Sequence, residues 1–385
     1  MAEFISGSYP RIGVVGGGQL AKMLALEAKK MGLRVVFLDP AEKPPALTVS
    51  DKHIKADFSD EKALNELAKE SDFITYELEW ADAELLKKLE LNGAKINPSS
   101  ETLRIIQSKL SQRNFLKKNK LPVPSFYEIN NLNELRKRFK EFNGKAMLKL
   151  SRGSYDGKGN IELNDEKKLD EIYEKVKGKE MFIEEWVDFE KELSVMVARN
   201  VSGEIKAYPV VENIHNESIL DTTIVPAQIS NELKEKAKEI AVKVLDKLKG
   251  AGVYGIELFL SRKKEILINE IAPRVHNSGH YTIEACKTSQ FEQHLRAIMD
   301  LPLGSTELLS NAVMINILGT GKTGKFKFIG LKDLMKIDGA NIHIYGKEES
   351  REKRKMGHVT ILDLNIESAL KKAEKAKKII KMEGI

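Results

Sequence analysis

The chain has 385 residues, 42% hydrophobic and 31% charged, and carries a formal charge of +6. That is the make-up of an ordinary soluble globular protein with room for two or three cores, and it excludes disordered and fibrous classes. Lysines interleave with glutamates along stretches such as Glu232 to Lys249, so the positive balance belongs to solvated helix faces; it implies no nucleic-acid partner but suits small phosphorylated substrates.

The N-terminus shows no basic region followed by an apolar run, and no stretch approaches the ~18 consecutive apolar residues that span a bilayer. Residues 11–98 alternate strand and helix: RIGVVG, a helix from Gln19 to Met31, RVVFLD, a helix near 60–69, DFITYE, a short helix and AKIN. That order predicts a parallel sheet flanked by helices, with its ligand site at the carboxyl ends of the strands. Gly16-Gly17-Gly18 precedes the first helix and Asp39 closes the second strand, which imitates a dinucleotide fingerprint. The same glycines let backbone N–H groups approach a substrate phosphate. Residues 99–119 read as one helix, and Leu121-Pro122-Val123-Pro124 as a rigid connector.

A compact unit follows over 125–187, with helix 131–142, strand 145–150, a glycine-rich loop, helix 165–177 and strand 181–186. Lys149 and Lys158 flank Gly153-Ser154-Tyr155-Asp156-Gly157-Lys158-Gly159, a pattern that suits a mobile cover over a triphosphate. The strand ending in Glu184-Glu185-Trp186-Val187 could read an adenine edge, with a carboxylate or Glu192 on the ribose. Antiparallel strands run to 228, and helix 230–249 carries an apolar stripe. Cys286, the one cysteine, is expected to pack in a helix; it excludes an internal disulfide and points to a reducing compartment, the cytoplasm. After 312 come short strands at 311–318, 340–345 and 356–362, then a lysine-rich helix over 365–382.

The segments 252–260 and 265–271 read as a β-hairpin around Ser261-Arg262-Lys263-Lys264. Pairing Leu260 with Glu265 sets Glu257 opposite Ile268, on the same face as Glu270. Two like charges so placed call for a cation between them, so the hairpin is a candidate Mg²⁺ clamp. Arg274 is positioned to neutralise a phosphoryl or acyl-phosphate group; His276 and His280 also have the spacing of a zinc pair.

Lys109, Lys149, GSYDGKGN, IEEWV, Glu257 and INEIAPR occur in the order of the ATP-grasp ligases. Within them GGGQLAKML, TYELEW, NEIAPRVHNSGH and YGK…RKMGH resemble the 5-(carboxyamino)imidazole ribonucleotide synthases over nearly the whole chain. The resemblance implies an α/β protein with an N-terminal parallel, Rossmann-like ribonucleotide-binding domain (1–105), an ATP-grasp domain (106–312) with a small mobile lid at about 123–187, and a small β-rich C-terminal domain (313–385). It also implies a homodimer that uses MgATP, with Mg²⁺ or Mn²⁺, and bicarbonate to carboxylate aminoimidazole ribonucleotide through carboxyphosphate. Carried over residue by residue, Glu257 and Glu270 hold the metal. ATP meets Lys109, Lys149, Ser154, Tyr155, Asp156, Gly157, Lys158, Gly159, Asn160, Glu184, Glu185, Trp186, Val187, Glu192, His215, Asn269 and Glu270. The ribonucleotide meets Gln19, Leu20, Glu77, Tyr155 and Asp156, with Lys347 and Arg354 on its 5′-phosphate. Arg274, His276, Asn277 and Ser278 meet bicarbonate and carboxyphosphate. The chain departs from the pattern at Ala21-Lys22 and Glu352-Lys353. A formate-using glycinamide ribonucleotide ligase and an NAD-dependent dehydrogenase are the competing readings.

Overall fold

The structure, a computed structural model, describes residues 9–153 and 159–385. Strands β1 (Arg11–Val15), β2 (Arg34–Leu38), β3 (Lys52–Ile54) and β4 (Phe73–Tyr76) form an all-parallel sheet in the order β3-β2-β1-β4. The apolar runs of β1, β2 and β4 are buried because helices cover the sheet faces. Its carboxyl edge delivers the Gly16–Gly18 turn and Glu77. The AKIN segment contributes only an isolated bridge, Ile74 to Ile96.

The expected helix over 99–119 is two helices, Ser100–Gln107 and Lys109–Lys118. Ser108 between them is extended (φ −108°, ψ 115°), and its side chain accepts the Ser111 N–H at 3.0 Å. A serine hydroxyl competes well for orphan amides at a helix start, so the break is an N-cap that apolar periodicity does not register. Lys109 thereby becomes the first residue of the second helix.

Strands β5 (Phe126–Glu128), β6 (Ala146–Leu150), β7 (Asn160–Leu163) and β8 (Met181–Glu185) make a small antiparallel sheet in the order β5-β8-β6-β7. It has its own core, including Leu135, Phe139, Leu148, Leu163, Leu169 and Ile183. Residues 186–188 then pass directly into the large sheet.

The large sheet is built from β9 (Phe189–Arg199), β10 (Ile205–Ala207), β11 (Val211–Asn216), β12 (Ile219–Val225), β13 (Gly252–Ser261), β14 (Ile266–Ala272), β15 (Asn311–Gly321), β16 (Phe326–Ile329), β17 (Ala340–Ile344), β18 (Lys355–Asp363) and β19 (Lys381–Gly384). Its main path is β14-β13-β9-β11-β12-β15-β18-β17, so the strands after 311 extend the sheet through β12–β15 pairing. The terminal helix stops at Ile379, and Lys381–Gly384 turns into a strand against β15 and β16. Cys286 is buried as expected but lies in a bridge to Leu308, just beyond the short helix Thr282–Ala285.

Alternation along β9 decides which face does chemistry. Leu193, Val195 and Val197 join Ala237, Ile240, Ala241, Val244, Leu245 and Leu248 of helix Asn231–Leu248 in one core. Each large side chain buried there contributes roughly 1.5–3 kcal/mol. Ser194 lies on the opposite face. Glu257 is directly opposite Ser194, and Thr223 is opposite Asn213, so a polar row crosses β13, β9, β11 and β12 beneath the loop 274–280.

Candidate active site

The hairpin pairs in a different register from the expected one, Leu260 with Ile266. An unbroken ladder in that register would set Glu257 against Asn269 and turn Glu270 to the far face, because side chains alternate with a period of two. A bulge between Glu257 and Leu258 absorbs Asn269, and Glu257 ends directly opposite Glu270. The Asn269 amide donates to Glu257 Oε2 at 3.3 Å. Burial, and then the charge of Glu270, push Glu257 above the ordinary carboxylate range. Lys109 Nζ stands 3.5 Å from Glu270 Oε2, and His276 Nε2 stands 3.5 Å from Glu257 Oε1. Lys109 is held beside the hairpin because Gln112, one turn further along its helix, exchanges hydrogen bonds with the backbone of Ile271 (3.1 and 3.4 Å). Two opposed carboxylates with hard oxygens fit a divalent cation.

The loop after β14 folds onto the polar row. His276 lies flat on the sheet because Gly255 beneath it has no side chain; a Cβ there would come within 2.6 Å of the His276 Cβ. Burial, then Arg274, holds His276 well below the usual imidazole range. Arg274 pairs with Glu79 at 2.9 Å, linking this loop to the carboxyl edge of the N-terminal sheet. Asn277 and Ser278, expected to meet bicarbonate, are buried. Asn277 exchanges amide hydrogen bonds with Asn316 at 2.8 and 3.0 Å, and Ser278 is enclosed between Ser194 and His276. His280 faces Gln290, 3.0 Å from its amide, rather than sharing a ligand position with His276.

On the nucleotide side, Ser154, Tyr155, Asp156, Gly157 and Lys158 lie outside the described residues. Gly153 and Gly159, on either side, have φ of +75° and +88°, which a side chain would strain. Lys149, nearly buried at the end of β6, is paired with Glu184, whose other oxygen takes the Arg113 guanidinium at 2.5 Å. Burial alone would raise Glu184, but Arg113 and Lys149 outweigh it and bring it down to about 2. Both Glu184 oxygens are thus committed to cations, and the adjoining Glu185 is exposed. Trp186, beneath Lys145 at 4.1 Å, and Val187 form the passage between the two sheets. Glu192 and His215 are hydrogen-bonded to each other across β9 and β11, and Glu192 holds His215 above its usual range against the opposing effect of burial. Asn160 begins β7 opposite Lys149.

Near the N-terminal sheet the glycine turn already has an anion. Gly18 and Ala21 donate their N–H groups to Glu77, Ala21 at 2.8 Å, at the start of the helix carrying Gln19 and Leu20. Asp39 likewise accepts from Gly17 and Ala41, both at 2.8 Å, so the carboxylate of the dinucleotide-like pattern is spent on its own turn. Lys347 approaches this region: burial, then Arg354, lowers it to about 7, while Glu77 acts the other way. Lys22, one of the departures from the family pattern, donates to the carbonyls of Ile344 and Tyr345 at 3.1 Å, and Lys353, the other, pairs with Glu217.

Sequence reasoning did not single out Arg113, Glu79, Lys355, Ser194 or Asn213. The Lys355 charge acts on His215, His276, His280 and Lys347 together, which places it at the meeting of the sites. Lys355 follows directly on Arg354 in the RKMGH run and Glu79 lies in TYELEW; Arg113, Ser194 and Asn213 carry no local signal.

A carboxylate hairpin and two lysines, set between a small sheet and a large one joined by a short passage, define an ATP-grasp ligase. Residues 114–291 match the ATP-grasp domain model, 10–107 the ribonucleotide synthetase preATP-grasp domain, and 312–372 the phosphoribosylaminoimidazole carboxylase C-terminal domain. The chain belongs to the N5-carboxyaminoimidazole ribonucleotide synthase family: it is 41% identical to the Bacillus subtilis enzyme of that name over 91% of each chain. The N5-carboxyaminoimidazole ribonucleotide synthetase of Thermotoga maritima superposes with a TM-score of 0.90 at 50% identity, covering 98% of this chain and 100% of that one. The Aspergillus clavatus synthase in complex with ADP and 5-aminoimidazole ribonucleotide gives 0.88 at 34% identity, over 96% and 98%. The chain spans 63% of the length of the Saccharomyces cerevisiae phosphoribosylaminoimidazole carboxylase, at 37% identity. It is accordingly an ATP-dependent carboxylate–amine ligase, and no helix among the described residues is long and apolar enough to cross a membrane.

Proposed function

We propose that the chain phosphorylates bicarbonate with ATP and transfers the carboxyl group to the exocyclic amine of 5-aminoimidazole ribonucleotide, giving N5-carboxyaminoimidazole ribonucleotide, ADP and phosphate. The observation that carries this is the Glu257–Glu270 pair, set between Lys109 on one side and His276 on the other.

A bicarbonate oxygen attacks the γ-phosphorus and ADP departs; the amine then attacks the carboxyl carbon and phosphate leaves. Glu257 and Glu270 would hold Mg²⁺ or Mn²⁺, which supplies charge neutralisation at the nucleotide phosphates. Lys109 and Lys149 bind the same phosphates, Lys149 oriented by Glu184 and Arg113. Residues 186–187 take the adenine edge and Glu192 the ribose, steadied by His215. Arg274 neutralises the carboxyphosphate, and His276 offers it an N–H; Asn277 and Ser278 position that loop from beneath. Gln19, Leu20 and Glu77 take the ribonucleotide, and Lys347 with Arg354 its 5′-phosphate, where a cluster of cations otherwise repels itself. The lid 123–187 closes over the product of the first step, since carboxyphosphate is destroyed by water. The working unit is a cytoplasmic homodimer, as the family resemblance implies.

A coupled assay of ADP release tests the reading: turnover should require both bicarbonate and aminoimidazole ribonucleotide. ADP formed with formate, or in the absence of the ribonucleotide amine at an equal rate, overturns it.

A further inference from the structure

The polar row under His276 has a direction. Thr223 Oγ1 donates to Asn213 Oδ1 at 3.0 Å, Asn213 Nδ2 to Ser194 Oγ at 2.9 Å, and Ser194 Oγ to Ser278 Oγ at 2.8 Å. The Ser278 hydroxyl then lies 2.8 Å from His276 Nδ1. Turning the Asn213 amide over would reverse every bond in this row, so the row needs an independent fixed end. It has one. The Ser278 backbone N–H, which can only donate, also points at His276 Nδ1, at 3.4 Å. That requires Nδ1 to carry the lone pair, which in a neutral ring leaves the proton on Nε2, the nitrogen 3.5 Å from Glu257 Oε1.

Thr223, Asn213, Ser194 and Ser278 are each at most 5% exposed, so water does not compete for these bonds. The strands of Thr223, Asn213 and Ser194 are adjacent in the large sheet, and Ser278 sits in the short turn Asn277–Gly279 that packs on it. We propose that Ser194 and Asn213 are positioning residues that lock His276 as the Nε2–H tautomer through Ser278, so that the ring always presents a donor to the site. In the ligand-free protein that donor is aimed at Glu257. When the carboxylate is taken by a cation, the N–H becomes available to an oxyanion of bicarbonate or carboxyphosphate. A ring free to switch tautomers would offer a lone pair half the time and repel that oxygen.

The kinetic part rests on the ligase reading above; the tautomer itself does not. The test is ¹⁵N NMR of histidine-labelled, ligand-free protein together with steady-state kinetics, for the parent chain, Ser194→Ala, Ser194→Thr and Thr223→Val. The parent should show His276 with a protonated Nε2 and an unprotonated Nδ1. Ser194→Ala should give a mixture of tautomers and lower kcat by roughly tenfold, with the KM for ATP unchanged, and Ser194→Thr should restore both. Thr223→Val, nearly isosteric, should give a smaller mixture in the same sense. A parent His276 protonated on Nδ1, or a tautomer unmoved in both Ser194→Ala and Thr223→Val, overturns the proposal. If the tautomer moves as expected while no ribonucleotide-dependent turnover exists in the parent, the ligase reading has failed and the positioning row has not.

Discussion

Glu257 and Glu270 face one another across β13 and β14 only because Asn269 is squeezed out of the ladder between them. Burial raises the Glu257 pKa, and in the absence of a cation the repulsion of Glu270 adds to it. Removing one charge should therefore leave the fold intact. Glu270→Gln should lower ADP release by roughly 100-fold or more, with a thermal midpoint equal to or above that of the parent. Isothermal titration with Mg²⁺ and a non-hydrolysable ATP analogue should show weakened metal-dependent binding. An unchanged kcat would remove the metal role from the hairpin.

Glu184 behaves in the opposite way. Its two oxygens neutralise Arg113 and Lys149, all three side chains being nearly buried. Glu184→Gln leaves two cations facing one neutral amide and should cost about 3–5 kcal/mol in urea denaturation. Glu185→Gln, one residue on and exposed, should fall within about 0.5 kcal/mol of the parent. Since the folded-state pKa of Glu184 is depressed to about 2, its contribution is complete above the ordinary carboxylate range and disappears as pH falls toward that value.

His294 ties the N-terminal sheet to the large one. Its Nε2 lies 2.8 Å from Thr75 Oγ1, and its Nδ1 accepts the Val253 N–H at 3.0 Å. Burial lowers its pKa to about 4. The unfolded chain binds a proton near pH 6.5 that the folded protein refuses, so stability is full above that pH and falls as pH drops from about 6.5 to 4. The loss over that window amounts to about 3 kcal/mol. His294→Gln should flatten this part of the pH–stability curve; an equally steep curve in the variant would assign the slope elsewhere.

Lys347 sits among Arg354, Arg351 and Lys355, and is lowered by burial and by those cations. A phosphate bound there would restore its charge. Lys347→Ala should raise the KM for aminoimidazole ribonucleotide by about 10- to 100-fold, the worth of one charged hydrogen bond, with the KM for ATP little changed. An equal rise in both constants would argue against a dedicated phosphate clamp.

Much of this site is legible in the chain because its chemistry is local. Gly16-Gly17-Gly18 must follow a strand, the loop between Gly153 and Gly159 needs glycine at positive φ at both ends, and NEIAPRVHNSGH keeps its acidic, cationic and imidazole groups within a dozen positions. The parallel start of the chain, the hairpin and the core stripe of helix Asn231–Leu248 follow from apolar periodicity alone. Less legible were features set by a single competing hydrogen bond: the break at Ser108, which places Lys109, and the position of Cys286 in a bridge.

The linear order of residues determined which groups are present and in what succession, since short motifs carry their own turn and strand geometry. What each carboxylate and amide does was decided only when distant strands met. Glu77 caps a helix, Glu184 is consumed by two cations, and Asn277 and Ser278 face inward, because a buried polar group must take whatever partner packing brings to it. The side-chain period of two makes the last step unforgiving: one bulged residue is the difference between a pair of glutamates sharing a face and a pair divided by the sheet.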